Sequence, residues 1–303
     1  MYNKNTNIGF DIDWNKLDPE DPLLKLNSVV FDKLKGSDNH KLIIINGLPI
    51  RFDPISKVIG LNFSGGADST LLFFLLCTII KELNVDVKIV ASTLVRFWEE
   101  RSWTDDLATN IFHWMKRRFP DIEMIHELGF IPPALECTPL KNIKLDNPKF
   151  SDEVMENSFA DVYAVRSFSD YLAYKHKILV TYSGTTMNPE HLTEEIKAPA
   201  FRKKRPIQDD DLKVYFSIFP VNDPFRVIEK TWVMAQYENF EIMDLLLMTR
   251  SCGAGADDLD RKYGRFNWTV TGSRYSCGFC FFCVERQWAT DNKNVYLKGY
   301  HCE

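Results

Sequence analysis

Residues 57–80, KVIGLNFSGGADSTLLFFLLCTII, decide which fold the chain is expected to adopt. The apolar run at 57–63 predicts a short buried strand, and the almost unbroken apolar run at 71–80 predicts a helix that is buried on most of its faces. Two glycines flanked by serines lie between them. Glycines let a backbone come close to an anion, and the free amides at the start of a helix point at it. The stretch therefore predicts a strand–loop–helix unit that binds phosphate.

Strands and helices alternate along the chain after this unit. The predicted strands are 85–94, 122–128 and 177–182, and the predicted helices are 103–119, 159–176 and one or two within 227–249. This alternation predicts an α/β fold with a doubly wound, mostly parallel sheet and helices on both faces. Ligands of such sheets bind at the carboxyl ends of the strands, which is where the glycine loop is placed.

Residues 1–57 have the pattern of an N-terminal extension with a β-hairpin. Asn46-Gly47 lies between two β-rich runs, which favours a tight turn, and Pro49 places the second strand at an edge. The α/β domain with the glycine loop is expected to cover 58–220. A C-terminal helical region with clustered cysteines is expected at 221–303.

The bulk composition narrows the class of protein. The 303 residues are 45% hydrophobic and 26% charged, as in ordinary soluble domains, and the net charge of -5 argues against a protein that coats nucleic acid. The first residues lack the pattern of a secretory signal, and the longest apolar run is about half of what crosses a bilayer. We expect a cytoplasmic protein that contacts no membrane and does not bind nucleic acid directly.

The serines and the aspartate distinguish residues 64–69 from a plain glycine turn before a core helix. They lack the lysine of G-x-x-x-x-G-K-[ST] and do not fit G-x-G-x-x-G. They resemble the S-G-G-x-D-S signature of the PP-loop ATP pyrophosphatases, whose fold is that of the adenine nucleotide alpha-hydrolases. The resemblance implies that the β- and γ-phosphates of ATP bind in the loop while an oxygen nucleophile attacks the α-phosphate.

The expected ATP-binding residues follow from this resemblance. In the loop they are Ser64, Gly65, Gly66, Ala67, Asp68, Ser69 and Thr70. Asp68 is expected to help hold Mg²⁺, which shares the phosphate charge. The end of the 85–94 strand should offer backbone groups to adenine. Gly184 lies where the superfamily lets the backbone approach the nucleotide, and a simple turn glycine is the alternative there.

The cysteines at the end of the chain indicate a metal site. Cys277, Cys280 and Cys283 have the spacing C-x-x-C-x-x-C, so all three thiols can face one ion. Cys252 is the best candidate for a fourth ligand and Cys302 is the reserve. Four thiolates suit either Zn²⁺ in a closed structural site or an iron–sulfur cluster. Disulfide pairing is the alternative, and it is disfavoured without a secretory signal.

Three segments occur together in one order along the chain: the glycine loop, Thr249-Arg250-Ser251-Cys252, and the C-G-x-C-x-x-C-x-E-R run at 277–286. This combination resembles 7-cyano-7-deazaguanine synthase, an enzyme family of the queuosine pathway. The resemblance implies that the four cysteines bind structural zinc. It also implies that Lys230, placed after Pro224 as in the family, contacts the ATP phosphates; alone, Lys230 would be read as a solvated lysine. Asp68 and Lys230 are thus the expected catalytic residues.

The reaction implied by the resemblance uses ATP, ammonia and a small deazaguanine acid. ATP activates the 7-carboxylate of 7-carboxy-7-deazaguanine as an adenylate, and ammonia converts it to the amide. A second ATP activates the amide oxygen, and loss of AMP leaves the nitrile. No glutaminase segment is recognisable as an ammonia source, and a homodimer is an assembly that the sequence leaves open.

The chain departs from the family in three places. Arg166 is the one residue kept from a stretch placed near the substrate, where it is expected to meet a carboxylate or to lie on the surface. The spacer between Cys252 and Cys277 is long, and residues 1–57 have no counterpart. A divergent member could stop at the amide or activate a different carboxylate.

Two further alternatives stay open. One is a PP-loop enzyme that thiolates tRNA with an iron–sulfur cluster, in which the basic run at 202–205 would contact RNA phosphates. The acidic residues that follow at 209–211 favour a solvated loop instead. The other is a nucleotide-binding protein without catalytic activity.

Overall fold

The computed structural model describes residues 41–52, 56–96, 104–131, 142, 160–187, 189, 212–213, 221–253, 277–278 and 280–297. A two-stranded hairpin comes first, with β1 at Lys41–Ile45 and β2 at Leu48–Phe52 paired antiparallel. Asn46 and Gly47 at its turn have φ of 46° and 83°. Both are left-handed, as a tight hairpin turn requires, so the predicted hairpin is confirmed.

Within the described residues, the central sheet has six strands. They are β3 (Val58–Asn62), β4 (Lys88–Arg96), β5 (Met124–Ile131), β6 (Val180–Tyr182), β7 (Leu212–Lys213) and β8 (Val221–Asn222). The order is β5-β4-β3-β6-β8-β7, with β7 antiparallel to β8 and every other pair parallel. The chain moves outward from β3 to β5 and then returns to the other side of β3 with β6. The gap between the carboxyl ends of β3 and β6 is therefore the switch point at which doubly wound sheets bind ligands.

Helices connect the strands and follow them. They are α1 (Ala67–Leu83), α2 (Thr104–Arg118), α3 (Ala160–His176), α4 (Lys230–Asn239), α5 (Met243–Met248) and α6 (Phe281–Asp291), with 3-10 turns at Pro224–Val227 and Lys293–Tyr296. The predicted helices are confirmed, and α1 begins at Ala67, inside the glycine loop. No helix among the described residues is long and apolar enough to span a membrane.

The two faces of the sheet are covered by different helices. On β4, Ile89 and Ala91 belong to the large core that also contains the apolar residues of α1, while Val90 packs with Phe168 and Leu172 of α3. Successive strand residues point to opposite faces, so this alternation places helices on both sides. The predicted doubly wound α/β fold is confirmed.

The strand predicted at 177–182 is shorter than expected. Lys177 has φ of 60°, and the amide of Ile178 donates to the carbonyl of Ala173 at 2.9 Å. Both are features of a helix end, so Lys177 terminates α3 and only Val180–Tyr182 pair with β3. Ile178 does not pair in the sheet; its side chain packs in the core cluster that also contains Phe168 and Leu172 of α3.

The hairpin packs on the core. Leu48, Ile50 and Phe52 are buried in the large core cluster. The hydroxyl of Tyr182 and the side-chain amide of Asn222 both donate to the carbonyl of Arg51, each at 3.0 Å. The hairpin is thus joined to the carboxyl ends of β6 and β8, while the division of the chain into domains at 57 and 220 stays a prediction.

Candidate functional site

A cavity of ≈ 290 Å³ opens at the switch point between β3 and β6. Its lining residues come from the glycine loop, the ends of β3, β4 and β6, the start of α2, helix α3, and the elements after β8. They are Asn62, Phe63, Ser64, Gly66, Asp68, Ser69, Ser92, Leu94, Thr104, Val165, Phe168, Ser169, Ser183, Gly184, Thr185, Lys230, Arg250, Ser251 and Phe282. The cavity therefore lies where the topology places a ligand.

The glycine loop forms one end of this cavity. Gly65 has φ of +70°, and a β-carbon there would also lie 3.0 Å from Leu107 of α2, so both conformation and packing favour glycine. The hydroxyl oxygens of Ser64 and Ser69 are 3.2 Å apart, and the amide of Ser64 donates to Ser69 Oγ at 3.2 Å. These contacts fold the loop back over the start of α1.

The start of α1 is open toward the cavity. Gly66 is the N-cap residue, and no side chain caps the helix there in the described part of the chain. The amides of the first turn thus keep capacity for an anion. Of the predicted loop residues, Ser64, Gly66, Asp68 and Ser69 line the cavity. The side chains of Ala67 and Thr70 are fully buried beside it.

Asp68, Lys230 and Glu285 form a buried ionic network beside the loop. Nζ of Lys230 lies 3.0 Å from Oδ2 of Asp68 and 2.8 Å from Oε2 of Glu285. The Lys230 side chain is 1% exposed, that of Glu285 0% and that of Asp68 12%. Lys230 is therefore not the solvated lysine of the alternative interpretation, and the structure brings it to the loop aspartate.

Sequence reasoning missed Glu285 as a participant in this network. In the sequence, Glu285 is simply the glutamate of the cysteine-containing run at 277–286. An available signal was its position two residues after Cys283, on a helix whose other inward residues, Phe281 and Ala289, are apolar. A lone acidic residue on the buried face of a helix indicates a buried partner of opposite charge.

Gly184 follows β6 and lines the cavity. Its neighbour Thr185 donates its amide to Oδ1 of Asp223 at 3.0 Å, and the amide of Ser183 donates to the carbonyl of Asn222 at 2.8 Å. The loop is thereby fixed to the end of β8. Its φ is not left-handed, so backbone conformation alone does not require a glycine at this position.

Among the described residues, those that line the other end of the cavity carry no charge. The hydroxyl of Ser169 on α3 lies 2.9 Å from Oδ1 of Asn62, and the hydroxyl of Ser92 donates to the carbonyl of Leu61 at 3.1 Å. Leu94 and Phe168 add apolar surface. Apolar walls with a few fixed polar groups suit a flat ring system. Binding of adenine at the end of β4 stays a prediction.

The four cysteines predicted as metal ligands meet at one point. The Sγ atoms of Cys252, Cys277, Cys280 and Cys283 all lie within 4.8 Å of one another. Cys277 Sγ and Cys283 Sγ are 3.8 Å apart. The backbone amides of Gly253 and Cys280 donate to sulfur at 3.3 and 3.2 Å, as is favourable for thiolates.

The donor set fits a bound cation. A hydrogen bond with Cys252 raises the pKa of Cys280 to about 11, and hydrogen bonds with Cys252 and Cys280, together with burial, raise the pKa of Cys283. A bound cation would favour the thiolate forms of these cysteines. A single tetrahedral Zn²⁺ with Zn–S bonds of about 2.3 Å needs sulfurs about 3.8 Å apart. Four iron atoms would spread the same ligands over separate corners of a larger cluster.

The cysteine cluster shares a wall with the cavity. The amide of Arg250 donates to the carbonyl of Gly65 at 3.3 Å, and Arg250 and Ser251 line the cavity directly before Cys252. Burial lowers the pKa of the Arg250 guanidinium, while the nearby Cys252 acts in the opposite direction. Arg286, three residues after Cys283, donates to the carbonyls of Thr249 and Leu246 at 2.9 and 3.1 Å.

Some predicted residues cannot be placed in the site. Arg166 lies on α3 between the cavity-lining residues Val165 and Phe168, but its side chain is outside the described part of the structure. The reserve ligand Cys302, the basic run 202–205 and most of the spacer between Cys252 and Cys277 also lie outside the described residues.

No protein-family model matches the chain, and neither does any curated protein. A similar solved structure is the U34-tRNA thiolase NcsA from Methanococcus maripaludis with its [4Fe-4S] cluster. It is 14% identical, the match covers 93% of this chain and 82% of that chain, and the TM-score is 0.39. A likeness at this level carries no argument about function.

Proposed function

We propose that the chain is an ATP-using enzyme of the PP-loop ATP pyrophosphatase type, which transfers AMP to an oxygen of its substrate and releases pyrophosphate. One observation carries the proposal. The open start of α1, within an S-G-G-x-D-S loop, faces the switch-point cavity beside Asp68 and Lys230. A helix start, two serine hydroxyls and a buried cation together suit a chain of phosphates.

The loop residues would hold the leaving pyrophosphate. The amides of the first turn of α1 and the hydroxyls of Ser64 and Ser69 are placed to donate to its oxygens. Lys230 adds a positive charge at the same end, which stabilises the negative charge that develops as the bond to the α-phosphate breaks. A Mg²⁺ ion at Asp68 would share the phosphate charge when bound.

The four cysteines would hold one Zn²⁺ ion in a closed structural site. The short separations among their Sγ atoms support a single ion. A zinc ion without an open position takes no part in the reaction, and it contributes folding free energy to the region that closes the cavity.

For the acceptor we propose the 7-carboxylate of 7-carboxy-7-deazaguanine, with ammonia as the second substrate and the amide or nitrile as product. The order of the motifs along the chain supports this assignment, as do the apolar side chains Leu94 and Phe168 at that end of the cavity, which suit a ring system. Arg166 is proposed as a partner of the carboxylate, on the helix that forms that wall.

A second candidate is thiolation of a tRNA uridine, which also begins with adenylation of an oxygen. The four clustered cysteines form a donor set that an iron–sulfur cluster also uses, which supports this candidate. The two candidates differ in their metal. Zinc at one ion per chain after anaerobic purification favours the deazaguanine enzyme. Iron with acid-labile sulfide favours the thiolase and overturns the zinc assignment.

The proposed function is tested by the products. The purified chain is incubated with ATP, Mg²⁺, ammonium and 7-carboxy-7-deazaguanine, and products are identified by mass spectrometry. We expect AMP and pyrophosphate in proportion to amide or nitrile, and at least about 100-fold less of each with the Asp68→Ala variant. Binding of ATP without release of AMP, in the presence of either the deazaguanine acid or a tRNA with a sulfur donor, would instead indicate a binding protein.

A further inference from the structure

We propose that Glu285 is a positioning residue, which keeps the amine of Lys230 at the phosphate end of the cavity when Asp68 turns to a divalent cation. The inference rests on the function proposed above. It gives the helix that follows the cysteine cluster a part in nucleotide binding.

The two carboxylates on either side of Lys230 differ in what can reach them. Asp68 lines the cavity, and its side chain is 12% exposed. Glu285 does not line the cavity and is completely buried. A cation that arrives with a nucleotide can therefore meet Asp68 but not Glu285. Because the distances from Nζ are similar, at 3.0 and 2.8 Å, either carboxylate alone can hold the amine.

A buried ammonium group is costly without a counter-charge. When Asp68 is shared with a divalent cation, its attraction for Lys230 falls, and the cation itself repels the amine. Glu285 then supplies the remaining negative charge in the place where the cation cannot compete for it. Without Glu285, the amine of Lys230 would either stay paired with Asp68 and leave the phosphates, or contact the phosphates without a carboxylate partner.

Glu285 is well suited to this role because its backbone is fixed on both sides. Cys283 belongs to the metal-ligand cluster, and Arg286 donates to the carbonyls of Thr249 and Leu246 at 2.9 and 3.1 Å. Helix α6 cannot shift along its axis without breaking these contacts. The position of Lys230 is thus set by the cysteine-bearing region rather than by α4 alone.

The test uses Glu285→Gln, which keeps the shape of the side chain and removes its charge. Binding of Mg²⁺–ATP and of AMP is measured by calorimetry on the full chain, together with metal content and melting temperature. We expect the Kd for ATP to rise by about tenfold or more, as for the loss of one member of a buried charge pair. The Kd for AMP, which lacks the β- and γ-phosphates, should not change. Metal content should also be unchanged.

Asp291→Asn is the matched control. Asp291 ends the same helix and interacts with Gln287 at an exposed site, so the change removes one charge from α6 away from Lys230. We expect ATP binding like that of the unchanged chain. Glu285→Asp keeps the charge on a shorter side chain and should recover part of the binding lost in E285Q. If E285Q does not fold, Glu285→Met, which also removes the charge at a similar side-chain length, takes its place, and unchanged ATP binding there overturns the proposal.

A double-mutant comparison shows whether Glu285 acts through Lys230. In a Lys230→Gln background, E285Q should cause no further loss of ATP binding, and an additional loss would overturn the assignment. Equal binding of ATP by the unchanged and E285Q chains, with metal retained, overturns the role of Glu285 only. Failure of the unchanged chain to bind ATP overturns the proposed function itself.

Discussion

A β-carbon on Gly184 would lie 3.0 Å from the carbonyl oxygen of Asp68, and 3.2 Å from the α-carbon of Ser69. Both atoms belong to the backbone of the first turn of α1, so they cannot move aside as the end of a flexible side chain can. The loop after β6 thus packs backbone to backbone on the helix start that faces the cavity. Because Gly184 has no side chain, the loop after β6 and the start of α1 can pack closely, and this contact fixes the two walls at the glycine-loop end of the cavity.

Gly184→Ala is expected to disturb this contact. The methyl group would push the loop away from α1, at a cost of roughly 1–3 kcal/mol in the free energy of unfolding. We expect a lower melting temperature and weaker ATP binding, measured by calorimetry. A variant with unchanged stability would show that the loop can move away freely.

Gly66→Ala should change the stability of the fold little and weaken ATP binding clearly. A β-carbon on Gly66 would lie 3.4 Å from Ser64 Oγ and 3.7 Å from the carbonyl of Arg250, which are ordinary contacts. The fold should tolerate it with less than about 1 kcal/mol of lost stability. The methyl group would nevertheless occupy the cavity next to the open helix start, so ATP binding should weaken clearly. Unchanged binding would place the phosphates elsewhere.

Asp68→Ala is expected to reduce AMP formation by at least about 100-fold, since it removes the proposed Mg²⁺ ligand and one partner of Lys230. Glu285 still pairs with Lys230 in this variant, so the fold and the metal content should be kept. Asp86→Ala is the control, because Asp86 is fully exposed and pairs with Lys57 on the surface. Retained turnover in the Asp68 variant would remove this residue from the mechanism.

Cys280→Ser should lose the bound metal and destabilise the C-terminal region, because a structural metal contributes directly to folding. Metal content is measured by plasma mass spectrometry and stability by thermal melting. Cys77→Ala is the control: Cys77 is buried in α1, outside the cluster, and its replacement should leave metal content unchanged. A Cys280 variant that melts like the unchanged chain would contradict a structural role.

Because the pKa of His126 is lowered, we expect the free energy of unfolding to fall in acid. Burial, aided by the nearby His113, lowers the pKa of His126 to about 4 from 6.5. The unfolded chain therefore takes up this proton first as the pH falls. The contribution of His126 to stability is complete above about pH 6.5, and it is lost toward pH 4 at up to roughly 1.4 kcal/mol per pH unit.

His126→Gln should flatten this dependence. The amide does not titrate, and it can replace the contact of Nε2 with Thr93 Oγ1 at 2.9 Å, although it loses the stacking on Phe112. Urea unfolding is compared at pH 7.5 and 5. An equal loss of stability between the two pH values in both proteins would assign the acid sensitivity to other groups.

Local patterns in the sequence were sufficient for most of the fold. The period of the apolar residues predicted the strands and helices, and Asn46-Gly47 predicted the hairpin, because these features depend on neighbours along the chain. Lys177 shows the limit of this reasoning: an apolar run predicted a strand there, while a left-handed residue ends the helix first.

The candidate site was predictable in its residue types but not in its connections. The serines and glycines of the loop and the spacing of the cysteines indicated two binding sites. That Glu285 pairs with Lys230 depends on how α6 packs against α4, which no local pattern contains. The same holds for Gly184, whose reason for being glycine is a contact with the first turn of α1.

The wall formed by Lys230, Arg250 and Ser251, with Glu285 behind it, comes from the last part of the chain. During synthesis on the ribosome, the first three strands and the glycine loop emerge well before these residues. A nascent chain in which these first strands have formed therefore still lacks Lys230, the proposed cation for the phosphates. The proposed use of ATP thus depends on residues that are translated after the first strands of the sheet, among them Glu285 and the last of the four clustered cysteines.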